Sequence, residues 1–570
     1  MTSMTGLHLA TRVSAAITRR RPSAQPGRLG ANTAAPPEGS SPRGSAEAAA
    51  WLDRAIATVR RHWLVSALLA AGLVLRLLSQ IAYQPAIIYV DTLKYLYGAS
   101  PGADPLGYRW LLKAILSAGG LGTVALVQHL LGLGMAVALY LVLQRRGVSR
   151  WLAALAVAPV LLDAYQVQIE EMIMPDVWFE ALLVAGLVVL LWRRTVSPWF
   201  AVTAGLIFGV SAIFHQLGEI LALPAVVYLL ACRGGWRRVI GTSAALAAAF
   251  ALPILVYCTV SQVTTGHFWL ARGQGVSGRM AAAADCATLR LPAEVRLLCP
   301  DRAAQAQGPD WLEHSAASPL FAPVLPPGTT IAQRYALISQ LTTGVEHQQP
   351  LRVVVSYLED SVRLFAATRQ GTGGVEPISR WQFQTQFPTY PQWVTLGPRN
   401  VIMVGLQRVT FGPFHYYRLN RAYGNQAHVD RPVASFLRAY QLDGGYTPGP
   451  LYLVFVLAGL AGSVLVLARR REPVFARSGG GSRGERSYGL ALACLLFTAT
   501  AATVLLAPDV FEYSWRYQLP AIVMLPAAGV LGVAAWLGRR QERRQAPLSA
   551  DPVPPAEQAS SDPQPQAPLP

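Results

Sequence analysis

The chain has 570 residues, 52% hydrophobic and 14% charged, with a mean hydropathy of +0.33 and a formal net charge of +18. So apolar a composition argues against a disordered chain, and a charged share well below the roughly 25% of soluble domains argues against an ordinary globular one. Basic charge left over in an apolar chain points away from a nucleic-acid binder and toward a polytopic membrane protein whose arginines are placed by topology.

Residues 1–50, rich in Arg, Ser, Pro, Gly and Ala, read as a disordered basic tail. The first long apolar run starts near Trp63, too late and too long for a signal peptide. Runs suited to crossing a bilayer follow at 63–83, 121–143, 151–166, 177–192, 199–214, 217–232, 239–260, 450–468, 488–507 and 517–537. Residues 538–570 form a second polar tail. The expected fold is an all-α polytopic membrane protein of about ten transmembrane helices. It divides into an N-terminal membrane module (51–260), a large loop region of mixed structure (261–449) and a C-terminal membrane module (450–537). Within the large region, Val353, Val354, Tyr357, Leu358, Leu364 and Phe365 suggest an amphipathic helix over 352–367 that lies on the membrane. Cys286 and Cys299 lie in the same region, as a disulfide or as two free thiols.

Arginine pairs or triplets recur at every second boundary: Arg60 and Arg61, Arg145 and Arg146, Arg193 and Arg194, Arg237 and Arg238, Arg469 to Arg471, Arg539 and Arg540. By the positive-inside rule both tails are then cytoplasmic, and the large loop is extracytoplasmic in a cell-membrane protein.

The outward loops carry the chemistry. The first reads Tyr89-Val-Asp91-Thr-Leu-Lys94-Tyr95, then Asp104-Pro-Leu-Gly-Tyr108-Arg109. Asp91, just past a span, suits a general base or a metal ligand, or else an ordinary helix cap. The second loop holds Asp163, Glu170, Glu171 and Asp176, the last directly after Pro175. Carboxylates beside a bilayer line a pathway, belong to a solvated loop, or cap the next helix. His215-Gln216-x-x-Glu219 interrupts an apolar stretch, and Arg516 stands at the outward end of the last run, against the charge trend. Such an arginine can fork onto a phosphate or anchor the interface beside Trp515 and Tyr517. No Walker loop, Cys-x-x-Cys pair or His-Glu-x-x-His helix is present.

Asp91-x-x-x-Tyr95, Asp104-Pro-Leu-Gly-Tyr108, Met174-Pro175-Asp176 and Arg516-Tyr517-x-Leu-Pro520, in this order, resemble the GT-C superfamily of polytopic glycosyltransferases. The resemblance departs from the family at His215, where relatives often carry arginine. It implies a sugar donor linked to polyprenyl phosphate, a glycan or protein acceptor, and transfer outside the membrane with inversion. Asp91 would be the base. Arg516, Lys94, Arg109 and His215 would meet the donor phosphate, and Tyr95, Asp104, Tyr108 and Glu219 would line the acceptor pocket. Asp176, Glu170 and Glu171 would hold a divalent cation such as Mg, Mn or Ca. The other classes open to the sequence are a transporter or flippase of a lipid-linked or anionic solute, and a non-catalytic membrane protein of envelope assembly.

Overall fold

A computed structural model describes residues 43–97, 105–232, 235–271, 276–369, 378–386, 400–404, 407–411, 428–470, 482–508 and 514–545. Residues up to Arg61 form a unit of their own. Its described part is helix α1, Arg43–Arg61, which starts inside the expected tail.

The second unit holds the apolar runs, and each of the ten runs falls on helix. In chain order they are α2 (Trp63–Ala82), α5 (Leu121–Arg146), α6 (Arg150–Leu162) with α7 (Ala164–Glu171), α8 (Asp176–Leu191), α9 (Pro198–Phe214), α10 (Ala222–Ala231), α11 (Trp236–Thr265), α19 (Gly449–Arg470), α20 (Ser482–Leu506) and α21 (Leu519–Gln545). The connections include α3 (Val90–Tyr97) and α4 (Gly107–Ala118). Six helices among the described residues are long and apolar enough to cross a bilayer, or seven if the bent pair α6–α7 is one span. The criterion thus supports a multi-pass chain and stops short of ten. The helices pack closely where side chains are small: Cβ atoms added at Gly205 and Gly209 of α9 would run into the backbone oxygens of Leu246 and Phe250 on α11.

The break between α6 and α7 has a local cause. Proline at 159 lacks an N–H donor, and Asp163 is extended and accepts from the Tyr165 N–H, so it caps a new helix. The axis turns by 50° there.

Among the described residues of the large region the regular structure is mostly helix. Six short or medium helices, α12 (Ser277–Ala283), α13 (Ala293–Arg296), α14 (Arg302–Gln305), α15 (Pro309–His314), α16 (Ile331–Gln348) and α17 (Pro350–Arg363), enclose a separate small core. Cys286 and Cys299 are joined there, with Cα atoms 6.0 Å apart. Helix α16 opens on a capping box between Thr330 and Gln333. The amphipathic helix expected over 352–367 is α17, but its apolar residues divide between two faces. Val353 and Leu364 are buried, whereas Leu351, Val354, Val355, Leu358 and Val362 are exposed. Helix α18 (Arg431–Leu442) follows. The strands are few: β1 (Tyr83–Gln84) pairs antiparallel with β4 (His428–Val429), and β2 (Asn400–Val404) with β3 (Gln407–Phe411).

Candidate active site

Two loops are stitched together before any charged group meets another. Ile87 forms a parallel bridge to Met172, the Ile87 N–H donates to Glu171 O (3.1 Å), and the Ile173 N–H donates to Ile87 O (3.1 Å). Thr92 tightens the join, since its hydroxyl accepts from the Tyr89 N–H (2.9 Å) and donates to Ile173 O (3.0 Å). Asp91, in the first turn of α3, and Asp176, the first residue of α8, are thereby held on neighbouring segments.

Arg516 arrives from the other end of the chain. Ser514 accepts from the Arg516 N–H and starts the 3-10 turn Trp515–Gln518 that leads into α21. Its guanidinium forks onto Asp176, with Nε to Oδ1 at 2.7 Å and Nη2 to Oδ2 at 3.1 Å, and Nη1 reaches Asp91 Oδ2 at 2.8 Å. Trp381 and Tyr517 rings flank it at 5.7 and 5.5 Å. The carboxylates differ in access: Asp91 is 25% exposed, Asp176 10%. Asp176 is thus suited to orient Arg516 and Asp91 to meet a substrate. Neither acts as a simple cap, because Asp91 sits within its helix and no side-chain cap precedes α8. Three of the five arginine donors are engaged, and the other two N–H groups have no hydrogen-bond partner among the described residues. The three side chains sum to one negative charge, so a phosphate here requires further cations.

Beneath this group lies a buried network. Arg76 of α2 donates to Val160 O and Leu161 O (3.0 Å each), the carbonyls freed where α6 breaks, and to Glu170 Oε1 at 2.7 Å. His129 of α5 contacts Glu170 at 3.1 Å and Glu171 at 2.7 Å. Gln166 donates to Glu180 (2.9 Å), and Gln128 to the Glu170 and Met172 carbonyls (2.8 and 2.6 Å). All these side chains are buried. Residues 163–176 are therefore buried among the helices, and their acids are not those of a solvated loop. A divalent cation does not fit them: Glu170 and Glu171 face Arg76 and His129, and Asp176 gives both oxygens to Arg516. Among the described residues no group of three His, Cys, Asp or Glu side chains is arranged to hold a metal ion.

The other expected site residues are placed as follows. Asp104 lies outside the described residues, as does the side chain of Lys94, three positions beyond Asp91 on α3. Tyr95 and Tyr108 are buried edge to face, 5.2 Å apart, and the Tyr108 hydroxyl donates to Gln128 (3.2 Å). They brace the floor of the site and do not line an open pocket. The Nε of Arg109 is buried with no hydrogen-bond partner among the described residues. His215 packs on Phe179 (5.0 Å) and accepts from the Leu217 N–H, the work of a cap, and Glu219 is exposed in the turn that follows.

A second cation escaped the sequence reading. Arg369 contacts Asp163 (3.4 Å) and lies over Tyr165 at 4.2 Å and over Tyr446 and Trp515 at 5.6 Å each. Asp163 also accepts from the Thr447 N–H (2.7 Å). A cavity of about 540 Å³ starts beside it. Asp163, Tyr440 and Thr447 stand at its polar part, and Leu155, Leu451 and Val533 of α6, α19 and α21 line its apolar part. Tyr83, at the end of α2, stacks on Phe383 (5.8 Å) and donates to Gln384 O (2.7 Å).

No protein-family model and no curated protein matches the chain. Solved structures similar to it include ArnT from Cupriavidus metallidurans bound to undecaprenyl phosphate (13% identity, 84% of this chain and 78% of that one, TM-score 0.29). Another is the Archaeoglobus fulgidus oligosaccharyltransferase tethered with an acceptor peptide (12%, 83% and 50%, TM-score 0.32). A third is the S. cerevisiae protein O-mannosyltransferase Pmt1-Pmt2 complex bound to the sugar donor (16%, TM-score 0.29). That match spans 40% of this chain and 37% of the other. Likeness at these values carries no argument about activity.

Proposed function

We propose that the chain is a multi-pass membrane glycosyltransferase that moves a sugar from a polyprenyl-phosphate donor to an extracytoplasmic hydroxyl with inversion. The observation that supports it is the meeting of Asp91, Asp176 and Arg516, drawn from three distant segments, at one end of the helical bundle. Asp91, the more accessible carboxylate, takes the proton from the acceptor hydroxyl. The acceptor oxygen bonds to the anomeric carbon as the bond from that carbon to the phosphate oxygen breaks, and polyprenyl phosphate leaves. The two unengaged donors of Arg516 stabilise the leaving phosphate. Because Asp91, Asp176 and Arg516 carry net negative charge, a further cation is needed, and this reading assigns Arg109 of α4, whose buried Nε has no hydrogen-bond partner among the described residues. The apolar cavity beside Arg369 takes the polyprenyl tail. In this reading all ten apolar runs enter the bilayer, the short ones as bent or partial spans, with both tails on the cytoplasmic side.

The test is sugar transfer in proteoliposomes from radiolabelled polyprenyl-phosphate hexoses and pentoses, comparing the native chain with Asp91→Asn. Transfer by the native chain, with a loss of at least about 10³-fold in an Asp91→Asn chain that still melts as a folded protein, supports the reading. Solute uptake without transfer favours the transporter class, and neither activity favours an assembly protein.

A further inference from the structure

At the end of the bundle opposite Arg516, five arginines surround a second cavity. Helix α8 connects the two ends: it starts at Asp176, and its 16 residues carry the chain about 24 Å to Leu191. There Arg145 and Arg146 close α5, Arg194 follows α8, Arg238 opens α11, and Arg486 opens α20. They line a cavity of about 260 Å³ together with a single carboxylate, Glu485. None of the five is in an ion pair among the described residues.

Helix capping explains part of this cluster. Arg145 donates to Trp192 O (2.6 Å), Arg146 to Leu191 O and Arg193 O (2.8 and 2.9 Å), and Arg486 to Gly147 O (3.1 Å). These bonds leave the positive charge uncompensated and fix three guanidinium groups in place, each with further donors. Arg194 and Arg238 cap nothing among the described residues, and topology alone does not require them to face the same space. One wall, including Leu229 and Leu492, is apolar and belongs to the packed helices. A fixed cluster with four excess positive charges and a greasy wall is the chemistry that recognises a phosphate-bearing amphiphile or a free phosphate.

We propose that this cavity is a binding site for a phosphate-bearing anion, distinct from the sugar-transfer site and independent of that reading. The full-length chain in detergent is melted with added phosphatidylglycerol, phosphatidylcholine, inorganic phosphate or pyrophosphate. Its variants Arg194→Gln/Arg238→Gln and, as control, Arg237→Gln, which rests on Trp236 outside the cavity, are treated alike. The expected result is an upward shift of roughly 3 °C for the native chain and the control, absent in the double variant and lost in 0.5 M NaCl. A shift with phosphatidylglycerol alone assigns a lipid headgroup, and one with phosphate or pyrophosphate assigns a soluble anion. If the double variant does not fold, the salt arm and the phosphatidylcholine arm decide on the native chain. An equal shift in the double variant, a shift that phosphatidylcholine reproduces or salt leaves intact, or no shift at all, overturns the proposal.

Discussion

Replacing Asp176 with Asn tests the division of labour around Arg516. The native arginine is 8% exposed and makes three charge-assisted bonds, two of them to Asp176 at 2.7 and 3.1 Å. Asn keeps one acceptor oxygen and loses the charge. Removing one partner of a buried ion pair costs about 3–5 kcal/mol, and the surviving contact to Asp91 reduces this to about 2–3 kcal/mol. The effect on catalysis is larger. Without its bidentate anchor the guanidinium swings to Asp91, the only carboxylate left to it in the group, and occupies the proposed base. Misplacing one donor of a leaving-group site costs about 10²–10³ in kcat, and engaging the base adds to that. Thermal melting and initial rates of transfer in proteoliposomes measure the two effects separately. An Asp176→Asn chain with native kcat would show that Arg516 does not depend on Asp176 for its position, and the assignment of roles would fall.

Other outcomes follow from the same geometry. Arg516→Lys keeps the charge and loses the fork, so folding is retained while transfer falls about 10²-fold. Gly132→Ala puts a methyl group into the Glu170 carboxylate, which Arg76 and His129 hold in place. Overpacking of this kind lowers stability by about 1–3 kcal/mol, read by thermal melting, and an unchanged melting point would show that Glu170 has room to move. Cys286→Ser opens a loop of 13 residues and destabilises the small core around α12–α17 by about 3 kcal/mol. Limited proteolysis of the 276–363 region, with and without reductant, checks this: the native chain becomes sensitive on reduction, and the variant is sensitive from the start.

Much of the site was legible in the sequence because its residue types stood out against apolar surroundings. Asp91, Asp176 and Arg516 each interrupt an apolar boundary, and the structure joins them across 340 and 425 positions. The role of Glu170 and Glu171 was not legible, since a run between two apolar segments reads as a solvated loop unless partners are sought. The signal was present: Arg76 and His129 lie inside apolar runs, and an ionisable group there needs a counterpart. Tyr95 and Tyr108 were misplaced because the resemblance assigns motif positions to a pocket, and a motif does not separate a side chain that lines a pocket from one that supports it from behind. Arg369 could not be found at all. It pairs with Asp163 over 206 positions, and no local pattern marks it among the many arginines of the large region.

The arginine within α2 also bears on how the chain is made. Its partner Glu170 lies 94 positions further on and is translated later. At about 5–20 residues per second the ribosome needs roughly 5–20 s to supply it. During that interval α2 carries an uncompensated charge whose placement in a bilayer costs about 2.5–3.5 kcal/mol on the insertion scale. On that scale α2 is expected to insert less completely on its own than together with α7, whose Glu170 supplies the opposite charge. A substitution of Glu170 that removes this partner is therefore expected to lower the inserted fraction of the chain as well as its activity.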